Sequence, residues 1–221
     1  MNKRDVLKRV EEVGIVPVVR ASSAEEAMQV IEAIRAGGIS IIEITMTVPR
    51  ALRVIEQVGD AHSDEVVIGA GTVLDAETAR ACILAGASFV VSPSLNLATI
   101  EMCRRYSIAV MPGALTPTEV VTAWEAGADV VKVFPCGALG GAKYLRALKA
   151  PLPQIELIPT GGVSLATAKD FIEAGAFALG VGADLVDTKA IRGGQPEKVT
   201  EAARSYVAAV REARSAKQTE R

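Results

Sequence analysis

The 221-residue chain predicts an α/β fold: a closed (β/α)8 barrel behind a short N-terminal helix. Three observations predict it. Eight short, β-branched apolar runs alternate with eight helix-periodic runs, and strands alternating with helices pair in parallel. The strand runs are nearly continuous in apolar residues, as strands covered on both faces are. The steps Ala36-Gly37-Gly38, Ala85-Gly86-Ala87, Ala126-Gly127-Ala128 and Ala174-Gly175-Ala176 each close a helix just before the next strand. Glycine there supplies the left-handed turn that ends a helix. An open doubly wound sheet also alternates, but the chain has no early G-x-G-x-x-G and keeps eight regular units.

Taken in order, residues 2–13 form a short amphipathic helix with Val6, Leu7, Val10 and Val13 on one side. Strands are expected at 15–20, 39–45, 66–72, 89–93, 108–114, 129–135, 155–160 and 178–185. Helices are expected at 23–36, 49–58, 75–85, 96–106, 117–126, 140–149, 165–174 and 196–214. Ser22 and Ser23, Thr116-Pro117 and Ser164 are their clearest caps. Trp124 lies in the helix at 117–126 and reads as packing. No composition shift marks a linker, so residues 1–214 are expected as one domain and 215–221 as a polar, frayed tail.

Composition excludes several functions. Half the residues are hydrophobic, enough for one sizeable core, and the net charge of −2 offers nothing to nucleic acid or an anionic membrane. No apolar run reaches membrane-spanning length, and the start MNKRDVLKRVEEVG lacks the apolar core of a signal peptide. Cys82, Cys103 and Cys136 form no C-x-x-C and suit a reducing cytoplasm. His62 is the sole histidine, which argues against a Ser-His-Asp triad and against a His-ligated metal; no cofactor is expected.

The odd polar residues fall at the C-terminal strand ends, where such barrels keep their active sites. Lys132 sits inside the apolar run DVVKVFP, residues 129–135. A lysine there either snorkels, pairs with a carboxylate, or sheds its proton and becomes a nucleophile for carbonyl carbon. Glu43, flanked by isoleucines in ISIIEIT, shares a face with Ile41 and Thr45; Lys132 shares one with Val130 and Phe134. If both faces point inward, a carboxylate and an amine share one lumen. A purely structural ion pair is the alternative, although buried pairs are poor stabilisers. Arg20 ends the first strand, where a guanidinium can grip a carboxylate or form a rim salt bridge. Thr72 ends the third strand and Pro93 the fourth. Thr160-Gly161-Gly162 and Gly182-Ala183 follow the last two strands, the usual place for a backbone phosphate site. Tight turns alone are the alternative reading of those glycines.

The segments VVRASSAEEA, GGISIIEITMTVP, IGAGTV, FVVSPSL, MPGALTPTE, VKVFPCGALGG, IPTGGV and GVGADLV occur in this order over about residues 3–212. With them the chain resembles the class I 2-keto-3-deoxy-6-phosphogluconate (KDPG) and 4-hydroxy-2-oxoglutarate aldolases, which are TIM barrels. The resemblance implies that Lys132 forms a Schiff base with the 2-keto acid and that Glu43 shuttles protons. It implies that Arg20, Thr72, Pro93 and Phe134 bind pyruvate, and that Thr160, Gly161, Gly162, Gly182 and Ala183 bind phosphate. It also implies a homotrimer with a small-molecule substrate. Two positions depart from the family pattern. Thr47 stands where many members carry a carboxylate-binding arginine, though another branch also has threonine there. Ala183 stands where many carry serine. The expected reaction is reversible cleavage of KDPG to pyruvate and glyceraldehyde 3-phosphate, and of 4-hydroxy-2-oxoglutarate to pyruvate and glyoxylate. The alternatives are an aldolase for the galactonate epimer, a phosphate-binding isomerase or epimerase, and a non-catalytic oligomeric barrel.

Overall fold

The computed structural model describes residues 1–62 and 65–219. Helix α1 (Lys3–Val13) is capped by Asn2, whose side chain accepts the Asp5 N–H, and it stops at Gly14 in the left-handed conformation. Nine strand segments follow: β1 (Ile15–Val19), β2 (Ile41–Thr45), β3 (Val67–Gly71), β4 (Phe89–Val91), β5 (Ala109–Met111), β6 (Gly113–Ala114), β7 (Val131–Val133), β8 (Leu157–Pro159) and β9 (Leu179–Val181). All pair in parallel, in the orders β5-β4-β3-β2-β1-β9 and β6-β7-β8. The sheet is therefore parallel and curled, with helices between its strands. One bridge, Thr160 to Gly180, and the Phe177 N–H donated to Leu157 O (2.9 Å) join the β8 side to the β9 side.

The eight expected strands are all present, with trimmed ends. The run 108–114 is split into β5 and β6 by Pro112, which has no N–H to give the ladder. The run 129–135 pairs only over β7, and the Phe134–Pro135 peptide after it is cis.

Helices α2 (Ala24–Ala36), α3 (Ala51–His62), α4 (Ala76–Leu84), α5 (Leu97–Arg105), α6 (Pro117–Glu125), α7 (Ala142–Lys149), α8 (Leu165–Glu173) and α10 (Pro196–Thr219) match the expected set. Gly38, Gly86, Gly127 and Gly175 take positive φ where the sequence placed helix stops. Ser23 and Thr116 cap α2 and α6 as read, and Ser164 precedes α8.

Four features differ. A short helix α9 (Thr188–Arg192) was not anticipated; Asp187 caps it by accepting the Lys189 and Ala190 N–H groups. Helix α10 runs through Thr219, past the expected boundary at 214, while Glu220 and Arg221 lie outside the described residues. Trp124 does not pack under α6 but is 43% exposed. Helix α3 runs past its expected boundary at 58 to His62, whose Nε2 is 2.7 Å from Glu32 Oε1; Ser63 and Asp64, next in the polar stretch 60–65 before β3, lie outside the described residues.

Alternation sorts the strand side chains into two apolar layers. Ile42 and Ile44 of β2, with Val131 and Val133 of β7, pack outward in the layer that meets the helices. Ile41, Val67, Phe89, Met111 and Val130 point inward and meet Val6 and Val10 of α1, which closes that end of the curled sheet. Helix α10 returns to the end of α1: Arg214 donates to Glu12 O (3.1 Å) and Phe177 O (3.0 Å).

Candidate active site

In β2 and β7 the inner layer becomes polar at the next inward position, two residues further along the strand. With Ile41 inside and Ile42 and Ile44 outside, Glu43 and Thr45 face the lumen. With Val130 inside and Val131 and Val133 outside, Lys132 faces it too. Glu43 is 2% and Lys132 4% exposed. The backbone N–H of Lys132 donates to Pro112 O (2.8 Å), the carbonyl at the break between β5 and β6. Its Nζ stands 5.3 Å from the centre of the Phe134 ring, within cation–π range.

Glu43 and Lys132 do not form the structural ion pair that was the alternative reading. Glu43 Oε1 is buried with no hydrogen-bond partner among the described residues. Burial pushes the Glu43 carboxyl above its ordinary value, and the attraction of Lys132 and then Arg20 only partly offsets it. Gly71 makes room for this carboxylate. A Cβ at residue 71 would stand 1.8 Å from Glu43 Oε1, so β3 must have glycine where it passes Glu43.

The strand ends surround this pair. Thr72, just after β3, adopts φ +50. That is an outlier for a β-branched residue, and such strain clusters where function demands it. Pro93, after β4, lies against Gly113, where a Cβ would stand 2.2 Å from the Pro93 carbonyl carbon. Thr45 donates to Val19 O (3.0 Å), so Thr47 Oγ1, at 2.6 Å, is the donor to Thr45.

A cavity of about 250 Å³ opens at the ends of β1, β7, β8 and β9, without Glu43 or Lys132 in its lining. Arg20, Phe134, Thr160, Gly161, Gly162, Gly182 and Ala183, seven residues singled out from the sequence, line it. Thr72 and Pro93 do not; they end strands on the opposite side of β1 and β2. Arg20 is exposed and makes no ion pair or hydrogen bond among the described residues. The backbone N–H groups of Gly161, Gly162, Gly182 and Ala183 likewise donate to nothing among the described residues, leaving four donors at a cavity with one guanidinium. Asp184 also lines the cavity; GVGADLV contains it, but no local pattern marks it as special.

Cys136 is buried near this site, and burial pushes its thiol up to about 11, so it is no thiolate nucleophile. Among the described residues no cluster of three His, Cys, Asp or Glu side chains forms a metal site.

A buried amine, an unpartnered carboxylate and a cavity with free donors lie at the C-terminal strand ends, the groups that carbonyl chemistry on an anionic substrate requires. Comparison with known proteins gives the family of the chain. The family model described as "KDPG and KHG aldolase" matches residues 6–202. The chain is 35% identical over 201 residues to the 2-dehydro-3-deoxy-6-phosphogalactonate aldolase of Escherichia coli K12, covering 90% of this chain and 95% of that one. It is 31% identical over 193 residues to the KHG/KDPG aldolase of the same organism, covering 87% and 90%. A solved KDPG aldolase from Legionella pneumophila, with pyruvate captured as a covalent carbinolamine, superimposes with a TM-score of 0.84 at 27% identity over 91% of this chain and 97% of that one. The chain therefore belongs to the KDPG and KHG aldolase family, a family of lyases.

Proposed function

We propose that this protein is a Schiff-base aldolase that cleaves KDPG to pyruvate and glyceraldehyde 3-phosphate, with 4-hydroxy-2-oxoglutarate, giving pyruvate and glyoxylate, as a second substrate. The observation that carries the reading is the unpaired Glu43 carboxylate sharing a buried lumen with the Lys132 amine.

The Lys132 amine attacks the C2 ketone through its nitrogen lone pair and forms a carbinolamine. Loss of water gives an iminium. Glu43, through a water, takes the C4 hydroxyl proton as the C3–C4 bond breaks, and the bonding pair moves into the iminium. The aldehyde leaves and an enamine remains. Glu43 returns its proton to C3, and water hydrolyses the iminium to pyruvate and free amine. The carboxylate is regenerated, so one group serves both proton transfers. Arg20 and Thr72 orient the keto-acid carboxylate, Pro93 and Phe134 wall the pyruvate, and the free N–H groups with Thr160 hold the phosphate. The pyruvate adduct of the Legionella relative supports the covalent step.

The galactonate epimer is a second candidate substrate, favoured by the 35% identity to its aldolase. It yields the same products and differs at C4, so turnover of the two epimers side by side separates the readings. The proposal includes a fully closed (β/α)8 barrel as a single domain, supported by the bridge between Thr160 and Gly180. It also includes a cytoplasmic homotrimer, in keeping with three unpaired cysteines and the family resemblance.

Borohydride trapping with pyruvate, followed by intact mass and peptide mapping, is expected to add one reduced pyruvate unit to Lys132. Lys132→Ala is expected to gain none. A folded wild-type protein that traps no pyruvate would sink the aldolase reading.

A further inference from the structure

Two loops form the walls of the distal cavity: residues 161–164, between β8 and α8, and residues 182–187, between β9 and α9. The first is tied to the chain after β7. Cys136 N–H donates to Thr160 O (2.9 Å) and Gly137 N–H to Gly161 O (2.8 Å), and the Gly137 and Gly162 backbones are in close contact. The second loop closes on itself, with the Leu185 and Val186 N–H groups donating to Gly182 O.

Above the bridge between Thr160 and Gly180, one side chain joins the two loops. Asp184 Oδ2 accepts the Leu165 N–H, the first of helix α8, at 3.0 Å. The same oxygen accepts the hydroxyl of Tyr206, on α10, at 2.5 Å. Tyr206 is almost wholly buried, the largest side chain in the core. Burial, then Asp184 itself, raises its phenol, so it stays a donor at neutral pH. A carboxylate lining an anion cavity would repel the anion unless its charge were spent elsewhere. Here Oδ2 is engaged by two donors, and one of them is anchored in the core.

We infer that Asp184, braced by Tyr206, is a positioning residue that holds the two loops at the spacing at which their free N–H groups meet the substrate phosphate. This rests on the aldolase reading above, and specifically on its phosphate site. Asp184 does not touch the reacting carbons; it acts on the distal half of the substrate alone. The pyruvate half draws on β1 to β4 and β7; of its residues Arg20 and Phe134 also line the cavity, but Asp184 and its two partners lie on neither of their strands, so its effect is read from the phosphate alone.

The test is aldol addition of pyruvate to D-glyceraldehyde 3-phosphate and to D-glyceraldehyde, which differ only in the phosphate. Tyr206→Phe keeps the ring and removes the brace. Asp184→Asn keeps the shape and weakens the junction. Each is expected to raise the KM for glyceraldehyde 3-phosphate roughly tenfold, the scale of one hydrogen bond to a charged group. The kcat with glyceraldehyde 3-phosphate, the kinetics with glyceraldehyde and the borohydride adduct at Lys132 are expected to stay within about twofold, a difference too small to reflect a lost hydrogen bond. Circular dichroism establishes that each variant is folded, and the second variant serves if the first is not. A brace with a structural role only would lower the melting temperature and leave the KM ratio of the two aldehydes unchanged, and that result overturns the inference. So does a parallel rise in both KM values. A wild type that traps no pyruvate overturns the aldolase reading itself, and the inference with it.

Discussion

Glu43 is held in the protein at a cost in its charged form. Burial raises its carboxyl, so the folded chain retains a proton over a pH range in which the unfolded chain has already lost it. Stability therefore falls as pH rises from the ordinary glutamate value through the raised one. Glu43→Gln removes that loss. Its melting temperature is expected to match or exceed that of the wild type at neutral pH, with the gap shrinking on acidification, as calorimetry over a pH series would show. Turnover is expected to drop roughly 10²–10⁴-fold, the worth of a general acid–base group, while pyruvate trapping survives. A melting temperature below wild type at neutral pH would contradict the assigned cost. The inward faces of Glu43 and Lys132 were legible in the sequence, because a period of two needs only neighbours along one strand. The role of Gly71 was not. Its meaning lies in the space that a residue of the adjacent strand takes up, and one-dimensional spacing does not encode depth. Asp184 was illegible for a related reason: its partners are 19 and 22 residues away, on two different helices.

Among the elements, α1 has the clearest separate role. Val6 and Val10 are fully buried against the inner side chains of the strands, on the layer below Glu43 and Lys132. Val10→Asp would bury an unpaired carboxylate there, at a cost of about 3–5 kcal/mol if it stays charged. The melting temperature is expected to fall by many degrees, measured by thermal denaturation. A near-neutral result would mean that α1 is dispensable as a plug. Strand cores and long helices were legible because their apolar periods run for several residues. The split between β5 and β6 had a visible signal in Pro112, which outweighs the apolar run around it. Helix α9 has five residues, too few for an apolar period, and only its Asp187 cap hinted at it.

Across the whole molecule, the sheet is uneven. β1, β2 and β3 are five residues long, whereas β7, β8 and β9 have three each, and a single bridge spans β8 to β9. Local opening starts where backbone pairing is sparse. Amide hydrogen exchange is expected to be slowest in β2 and β3 and fastest, among the strands, at the β8–β9 seam. Uniform protection around the sheet would refute this ranking. A substrate bridging the lumen and the distal loops would span that seam, so ligand would slow exchange there most. The alternation that named the fold class was legible from end to end, whereas the weakness of one seam depends on ladder lengths that apolar runs overstate. The contacts of Arg214 with Glu12 O and Phe177 O have a consequence for chain connectivity. Where α1 and α10 meet, the order in which the repeated units follow one another along the chain is not obligatory. A linker joining the ends, with new ends cut at the exposed turn around Gly86, would place Lys132 ahead of Glu43 in the polypeptide and leave both in the same lumen. The chemistry depends on which strands stand side by side and is indifferent to their order along the polypeptide.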